Sequence, residues 1–216
     1  HELRTPLTSM RTNIELLVAD DKSGMLPEGA RSEILDDVSA QLGEFSALVG
    51  DLVALTRDDH LQRQPERLDM SEVVEAALAR AARRGPNITF HTSLEPVPIL
   101  GDASTLERAI TNLLDNAVKF SPSDGEIWVE LTSAGVLTII DSGPGVADED
   151  LPHIFDRFYR SDRARNTPGT GLGLAIVTHT VEAHGGSVRA GNQPGAGAKF
   201  TMRLPVLTIP ESPLSP

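Results

Sequence analysis

Residues 104–119 read Ser-Thr-Leu-Glu-Arg-Ala-Ile-Thr-Asn-Leu-Leu-Asp-Asn-Ala-Val-Lys, and this stretch decides how the chain folds. Apolar residues recur at helical spacing along one side, at Leu106, Ala109, Ile110, Leu113 and Ala117. The other side carries a polar stripe at every fourth position, formed by Arg108, Asn112 and Asn116. A helix with one apolar face must bury that face against a second layer of structure, and the sequence around it supplies one.

That second layer is a set of short strands. Alternating apolar and polar residues predict strands at 88–91, 98–101, 126–131, 136–140, 187–190 and 198–204. Two more helices are predicted, one that begins at Ser71 as its N-cap and ends at Gly85, and one over residues 172–183. Strands with interspersed helices predict an α+β protein, with a two-layer α/β sandwich over residues 70–206.

The first 57 residues have a different pattern. A 4-3-4-3 apolar spacing predicts a helix over residues 1–20, and the same spacing from Ile34 to Leu55 predicts a second helix. Two Gly and a Pro within residues 21–29 predict the turn of an antiparallel hairpin. Two narrow apolar seams cannot enclose a core alone, so we expect a homodimer in which two hairpins form a four-helix bundle. Residues 58–69 are expected to be a linker, and residues 207–216 a disordered tail.

Composition excludes several classes of protein. The chain has no Cys, which removes disulfides, thiolate metal sites and cysteine nucleophiles. Its 31 acidic and 19 basic side chains give a formal charge of −12, which argues against nucleic acid as a partner. No stretch approaches the roughly 18 apolar residues that a membrane span needs, so we expect no membrane contact by this chain itself.

Two groups of polar residues indicate phosphoryl chemistry. His1 lies one helical turn before Thr5, and a neutral imidazole is a competent nucleophile near neutral pH. Glu2 is a candidate to take the second ring proton. On the helix over 104–119, the amide oxygens of Asn112 and Asn116 and the ammonium of Lys119 suit a magnesium polyphosphate.

Three further segments indicate a nucleotide. Asp141 ends a buried strand, and its carboxylate can accept a hydrogen bond from the amino group of adenine. Gly143 and Gly145 would let the backbone approach a flat base, and the loop Gly169-Thr170-Gly171-Leu172-Gly173 precedes a helix whose N-terminus favours phosphate. Between these loops, a long connection with several aromatic residues predicts either a lid over a ligand or a packed Ω-loop.

Taken in order, these segments resemble the catalytic core of the sensor histidine kinases of two-component signalling. His1-Glu2-Leu3-Arg4-Thr5-Pro6 resembles the H box of that family, and Asn112 to Phe120 its N box. Asp141-Ser-Gly143-Pro-Gly145 resembles the first glycine box and Gly169 to Leu174 the second. The segment from Ile154 to Arg160 resembles the F box, with its aromatic residues at Phe155 and Phe158.

The resemblance implies a function for each box. His1 would be the phosphoacceptor, Glu2 its acid–base partner, and Thr5 would help to place water when a phosphorylated response regulator is hydrolysed. Asn112 and Asn116 would hold Mg²⁺, and Lys119 and Arg160 would meet the phosphates of ATP. The two glycine boxes would shape the pocket and lid of a Bergerat ATP-binding fold, with Asp141 on the adenine.

The resemblance also implies partners and a place in the cell. The phosphoryl group would pass from His1 to an aspartate in the receiver domain of a response regulator. The chain would be the cytoplasmic portion of a sensor anchored in the plasma membrane. Two alternatives remain at this point: an ATP-gated machine of the gyrase or heat-shock type, which shares the Asn helix and glycine boxes, and a non-catalytic interaction module.

Overall fold

A computed structural model describes residues 4–24, 26–27, 29–56, 65–164, 167 and 169–207. The N-terminal part is a helical hairpin of α1 (Arg4–Ser23) and α2 (Ala30–Thr56). Between them, Asp20 closes the turn, because its side chain accepts from the backbone N–H of Leu26 at 2.8 Å. The hairpin predicted from the apolar spacing is therefore present, and α1 extends three residues beyond its predicted end.

The two helices pack along part of the predicted seam. Met10 of α1 and Val38 of α2 are buried. Other apolar side chains remain exposed on the single chain, among them Ile14, Leu16 and Val18 on α1 and Leu35, Leu42 and Val49 on α2. The hairpin thus leaves an apolar surface on its outside, a surface that the single chain does not bury.

After the hairpin, the described residues form three α-helices and seven strands. The helices are α3 (Met70–Arg84), α4 (Ala103–Phe120) and α5 (Gly173–Ala183). The strands are β1 (Glu66–Asp69), β2 (Thr89–Leu94), β3 (Pro98–Gly101), β4 (Glu126–Thr132), β5 (Val136–Ile140), β6 (Ser187–Asn192) and β7 (Ala198–Arg203).

Five strands form a mixed sheet in the order β2-β4-β5-β7-β6, in which β2 and β4 are parallel and the other pairs antiparallel. Buried and exposed residues alternate along β4, so one face of the sheet is covered. That face and the apolar sides of α3, α4 and α5 form one hydrophobic core. The predicted α+β class, a helical hairpin followed by a two-layer sandwich, is confirmed.

The structure differs from the sequence prediction at the start of the sandwich. Residues 66–69, predicted as part of a linker, form β1, which pairs with β3 in a separate two-stranded sheet. The N-cap of α3 is Asp69 rather than Ser71, because the Asp69 carboxylate accepts from the Ser71 backbone N–H at 3.0 Å. Of the remaining predicted linker, residues 58–64 lie outside the described residues, and so do residues 208–216 of the predicted tail. Of the helices that are described, none is both long and apolar enough to cross a membrane.

Candidate functional site

Helix α4 supplies one wall of the site. Its N-terminus is fixed by Asp102, whose side chain accepts from the backbone N–H groups of Ser104 and Thr105. Its apolar side is buried against the core, so its polar stripe turns outward. Asn112 and Asn116 from that stripe, and Lys119 one turn further along the helix, line one cavity of about 330 Å³, which is large enough for a small ligand.

The cavity collects most of the predicted site residues. Those that line it are Asn112, Asn116, Lys119, Phe120, Asp141, Gly145, Arg160, Gly169, Thr170, Gly171 and Gly173. Four others predicted in the same segments do not line it: Gly143, Phe155, Phe158 and Leu172. The sequence therefore identified distant segments that the fold brings to one place.

Asp141 is the buried charge of the cavity, with an exposed fraction of 3%. Its Oδ1 accepts from the backbone N–H groups of Gly143 and Ala198, each at 2.9 Å. Within the described part of the chain, Oδ2 makes no such bond. Burial raises the pKa of Asp141, although both N–H donors act in the opposite direction. The Oδ1 atom of Asp141 thus holds the side chain in place, and its Oδ2 atom is available to accept a hydrogen bond from a ligand.

Lys119 and Arg160 bring positive charge to the same cavity. The pKa of Lys119 lies below the ordinary value, first because the ammonium is partly buried and second because of the charge of Arg160. The Lys119 Nζ also lies 4.9 Å from the centre of the Phe120 ring. Two positive charges that share a half-enclosed cavity favour an anionic ligand.

The connection between the glycine loops closes one side of the cavity. Arg160 donates to the backbone carbonyls of Ala164 and Thr167, so its guanidinium also shapes this segment. The Tyr159 hydroxyl donates to Asp150 at 2.5 Å, and this bond is the first cause of a raised Tyr159 pKa. Phe158 is held at a φ of 65°, a left-handed conformation that is costly for an aromatic residue.

The second glycine loop leads into α5. The Thr170 hydroxyl accepts from the Leu172 backbone N–H at 3.2 Å, and Leu172 itself is fully buried. The Asn112 side-chain amide donates to the carbonyl of Gly173 at 3.2 Å, which joins α4 to the beginning of α5. This loop therefore carries the N-terminus of a helix to the cavity, where backbone N–H groups suit phosphate.

The structure does not describe the predicted phosphoacceptor residues in the same detail. His1 and Glu2 lie outside the described residues, and Thr5 lies in the first turn of α1, where only the backbone is described. In the other direction, sequence reasoning missed Asn192 and Ala198, which contact the first glycine loop from β6 and β7. The motif spacing gave no signal for either residue, because both act from strands distant in sequence.

A mixed sheet with an asparagine-bearing helix and two glycine loops around one cavity defines an ATPase of the Bergerat type. Comparison with family models agrees. Residues 101–208 match the histidine kinase-, DNA gyrase B- and HSP90-like ATPase family, and residues 1–61 match the His Kinase A (phospho-acceptor) domain. The chain belongs to the histidine kinase branch of this family and is a sensor histidine kinase catalytic core.

Individual relatives and solved structures support the same family assignment. The chain is 46% identical to the signal transduction histidine-protein kinase/phosphatase MprB of Mycolicibacterium smegmatis, over 98% of the chain and 45% of that protein. A solved structure of a mycobacterial sensor histidine kinase MprB matches with 39% identity and a TM-score of 0.62, over 67% of this chain and all of the other. The Acinetobacter baumannii histidine kinase AdeS matches with 28% identity and a TM-score of 0.71, over 96% and 98% of the two chains.

These comparisons exclude one of the two alternatives left by the sequence, the ATP-gated machine. The match to a phosphoacceptor domain separates this chain from gyrase-type and heat-shock ATPases, and the prediction of a protein histidine kinase is confirmed. The chain spans less than half the length of the curated relative it matches.

Proposed function

We propose that this chain transfers the terminal phosphoryl group of ATP to His1 and then passes it to an aspartate of a response regulator. The observation that carries the proposal is the cavity itself, which places the buried Asp141 carboxylate together with Lys119, Arg160 and the amides of α4. A hydrogen-bond acceptor for a base and two cations for phosphates are the features that ATP requires. The phosphoacceptor segment lies on the same chain.

Asp141 would select adenine. Because its Oδ1 is already engaged by two N–H groups, its Oδ2 is the atom available to the exocyclic amino group of the base. Guanine has an oxygen atom at that position. This oxygen and the Asp141 carboxylate are both acceptors, so they could not form a hydrogen bond. The buried position makes such a mismatch costly.

Lys119 and Arg160 would neutralise the phosphates, with the N–H groups of the second glycine loop. Arg160 would couple this contact to the lid, because its guanidinium also donates to lid carbonyls at Ala164 and Thr167. Nucleotide binding would thereby order the segment that covers it.

Asn112 and Asn116 fit a magnesium ion bound with the nucleotide. They stand one helical turn apart on the cavity side of α4, and Mg²⁺ prefers oxygen ligands. The Asn112 Nδ2–H donates to the Gly173 carbonyl, which leaves the Asn112 Oδ1 as the atom available to a cation. In the described part of the chain, no three His, Asp or Glu side chains are grouped so as to hold a metal ion, so the amide oxygens and the phosphates would share this task. When bound, the ion would supply charge neutralisation on the phosphates.

At the acceptor, a ring nitrogen of His1 would attack the terminal phosphorus while the bond to the ADP oxygen breaks. Glu2 would take the proton from the other ring nitrogen. Thr5 would help to place water for hydrolysis of the phosphorylated regulator, which is the phosphatase reaction. These three roles rest on the match to the phosphoacceptor domain.

We further propose that the chain acts as a homodimer built on the hairpin. The exposed apolar side chains of α1 and α2 support this, because a second hairpin would bury them in a four-helix bundle. The chain would be the cytoplasmic part of a sensor anchored in the plasma membrane, as the family resemblance implies.

The test uses the chain with residues added before His1, incubated with Mg²⁺ and ATP labelled at the terminal phosphate. We expect a label that is stable in base and lost in acid, because phosphohistidine is stable in base and hydrolysed in acid. His1→Gln should abolish the label while leaving nucleotide binding intact, and Asn116→Ala should weaken nucleotide binding while leaving the acceptor in place. A label that persists on the His1→Gln protein would refute the acceptor, and absence of nucleotide binding by the unaltered chain would refute the proposed function.

A further inference from the structure

The first glycine loop, residues 141–146, is held at both ends by the hairpin of β6 and β7. At its beginning, the backbone N–H of Asp141 donates to the carbonyl of Ala198 at 3.0 Å, and the N–H of Gly197 donates to the Asp141 carbonyl at 2.8 Å. At its end, the loop meets the side chain of Asn192, the last residue of β6.

Asn192 makes two hydrogen bonds to one residue of the loop. Its Oδ1 accepts from the backbone N–H of Val146 at 2.8 Å, and its Nδ2 donates to the Val146 carbonyl at 2.7 Å. A carboxamide that uses both of its polar atoms on one backbone unit imitates a paired strand, and it fixes position and orientation together. Asn192 therefore holds Val146 as a neighbouring strand would.

Gly145 shows how closely this side chain approaches the loop. A Cβ at Gly145 would lie 2.7 Å from the Asn192 Oδ1, and the φ of Gly145 is 73°, so a side chain there would be strained as well. The loop thus keeps a glycine where the carboxamide passes over it.

We propose that Asn192 is a positioning residue of the nucleotide pocket, which acts through Val146 to hold the first glycine loop in its ligand-binding conformation. Val146 and Gly145 line the cavity, whereas Asn192 does not, so its effect on a ligand must pass through the loop. The inference rests on the proposed binding of ATP in this cavity. Because Asn192 is exposed and outside the hydrophobic core, removing its side chain should leave the fold intact.

The test is nucleotide affinity, measured by titration with a fluorescent ATP analogue. Loss of both hydrogen bonds in Asn192→Ala should weaken binding about tenfold, with an unchanged melting temperature. Asn192→Asp keeps the acceptor but sets a carboxylate oxygen against the Val146 carbonyl, so it should bind no better than Asn192→Ala. Gln193→Ala, at the neighbouring position of the turn, is the matched control and should bind as the unaltered chain does.

A double-mutant cycle with Gly145→Ala separates positioning from a general structural effect. In the unaltered chain the new methyl group would collide with Asn192, so Gly145→Ala should weaken binding strongly. In the Asn192→Ala background the collision is absent, and the same substitution should weaken binding by a smaller factor. Additive effects of the two substitutions would contradict the proposal.

Hydrogen exchange provides the second measurement. The Val146 amide should lose protection in Asn192→Ala while the amides of β6 and β7 keep theirs. Equal affinity of Asn192→Ala and the unaltered chain would overturn the proposal and leave the ATP site standing. Loss of protection across both strands would also overturn it, and failure of the unaltered chain to bind the analogue would overturn the proposal together with the ATP site.

Discussion

The backbone N–H of Phe158 donates to the carbonyl of Gly171 at 2.9 Å, and this bond joins the lid to the second glycine loop. The two backbones touch so closely that a Cβ at Gly171 would lie 2.7 Å from the carbonyl carbon of Phe158. Both residues have positive φ, 65° at Phe158 and 70° at Gly171. The lid and the loop are therefore held as one unit, whose conformation depends on the absence of a side chain at Gly171.

Gly171→Ala is expected to lower nucleotide affinity about tenfold or more while the sandwich stays folded. The added methyl group meets the Phe158 backbone, and the left-handed conformation itself costs an ordinary residue about 1–3 kcal/mol. Affinity for an ATP analogue and thermal melting, measured on the same samples, check this expectation.

Gly191→Ala is the matched control, because Gly191 lies in β6, has no left-handed φ and has nothing within 4 Å of an added Cβ. It should bind as the unaltered chain does. Equal losses of affinity in the two variants would show that the contact between Gly171 and Phe158 does not set the pocket.

Asp141→Asn is expected to stabilise the fold and to weaken adenine nucleotide binding at least tenfold. Burial raises the pKa of Asp141, so the folded protein holds its proton to a higher pH than the unfolded chain does. Above that range, ionisation of the carboxyl costs folding free energy that a neutral amide does not. The amide keeps an acceptor for Gly143 and Ala198, but it presents a donor where the base also has one.

Melting temperatures across a pH series check the sign of this effect. The advantage of Asp141→Asn should be full near neutral pH and should shrink as the pH falls and Asp141 takes up its proton. Asp124→Asn, at an exposed turn position, is the control and should not change nucleotide affinity. A lower melting temperature for Asp141→Asn at neutral pH would contradict the expected cost of the buried charge.

The sequence was sufficient for features that repeat or that cluster along the chain. The apolar spacing of α4 and the alternation in β4 predicted both layers of the sandwich, since each pattern reports a buried face directly. The positions of Asn192 and β1 could not be predicted in this way. Asn192 contacts Val146 across 46 residues, and β1 is a four-residue strand whose pairing with β3 is a tertiary contact.

The N-cap of α3 shows a smaller limit of the same kind. Ser71 and Asp69 are both suitable caps by residue type, and the sequence does not rank them. The structure favours Asp69 because its Oδ1 also accepts from the backbone N–H of Val97 at 3.0 Å. The hydrogen bond with Val97, a residue distant in sequence, thus determines which residue caps α3.

We expect the unaltered chain to lose nucleotide affinity at alkaline pH, and we expect Lys119→Arg to prevent this loss. Because burial and the charge of Arg160 lower the pKa of Lys119, its ammonium loses its proton below the ordinary lysine range. Affinity of the unaltered chain for ATP should therefore fall as the pH rises through that lowered pKa. Arginine keeps its charge throughout, so the variant should retain its affinity over the same range.

Titrations with an ATP analogue from neutral to alkaline pH measure this difference. Lys199→Arg is the matched control, since Lys199 lies on β7 and does not line the cavity, and it should lose affinity as the unaltered chain does. An identical alkaline fall in Lys119→Arg and the unaltered chain would exclude Lys119 as its origin.

Leu42→Glu is expected to convert a dimer into a monomer. Leu42 of α2 is 51% exposed on the single chain, and the proposed four-helix bundle would bury it beside the other apolar residues of the hairpin surface. A carboxylate at such a position loses its hydration on assembly without gaining a partner, which opposes association. Leu100→Glu, at a side chain 50% exposed on β3, is the matched control and should remain dimeric. Light scattering after size-exclusion chromatography gives the mass of each variant, and circular dichroism verifies that the helices persist. If the Leu42→Glu variant remained a dimer, the interface would lie elsewhere than on this face of α2.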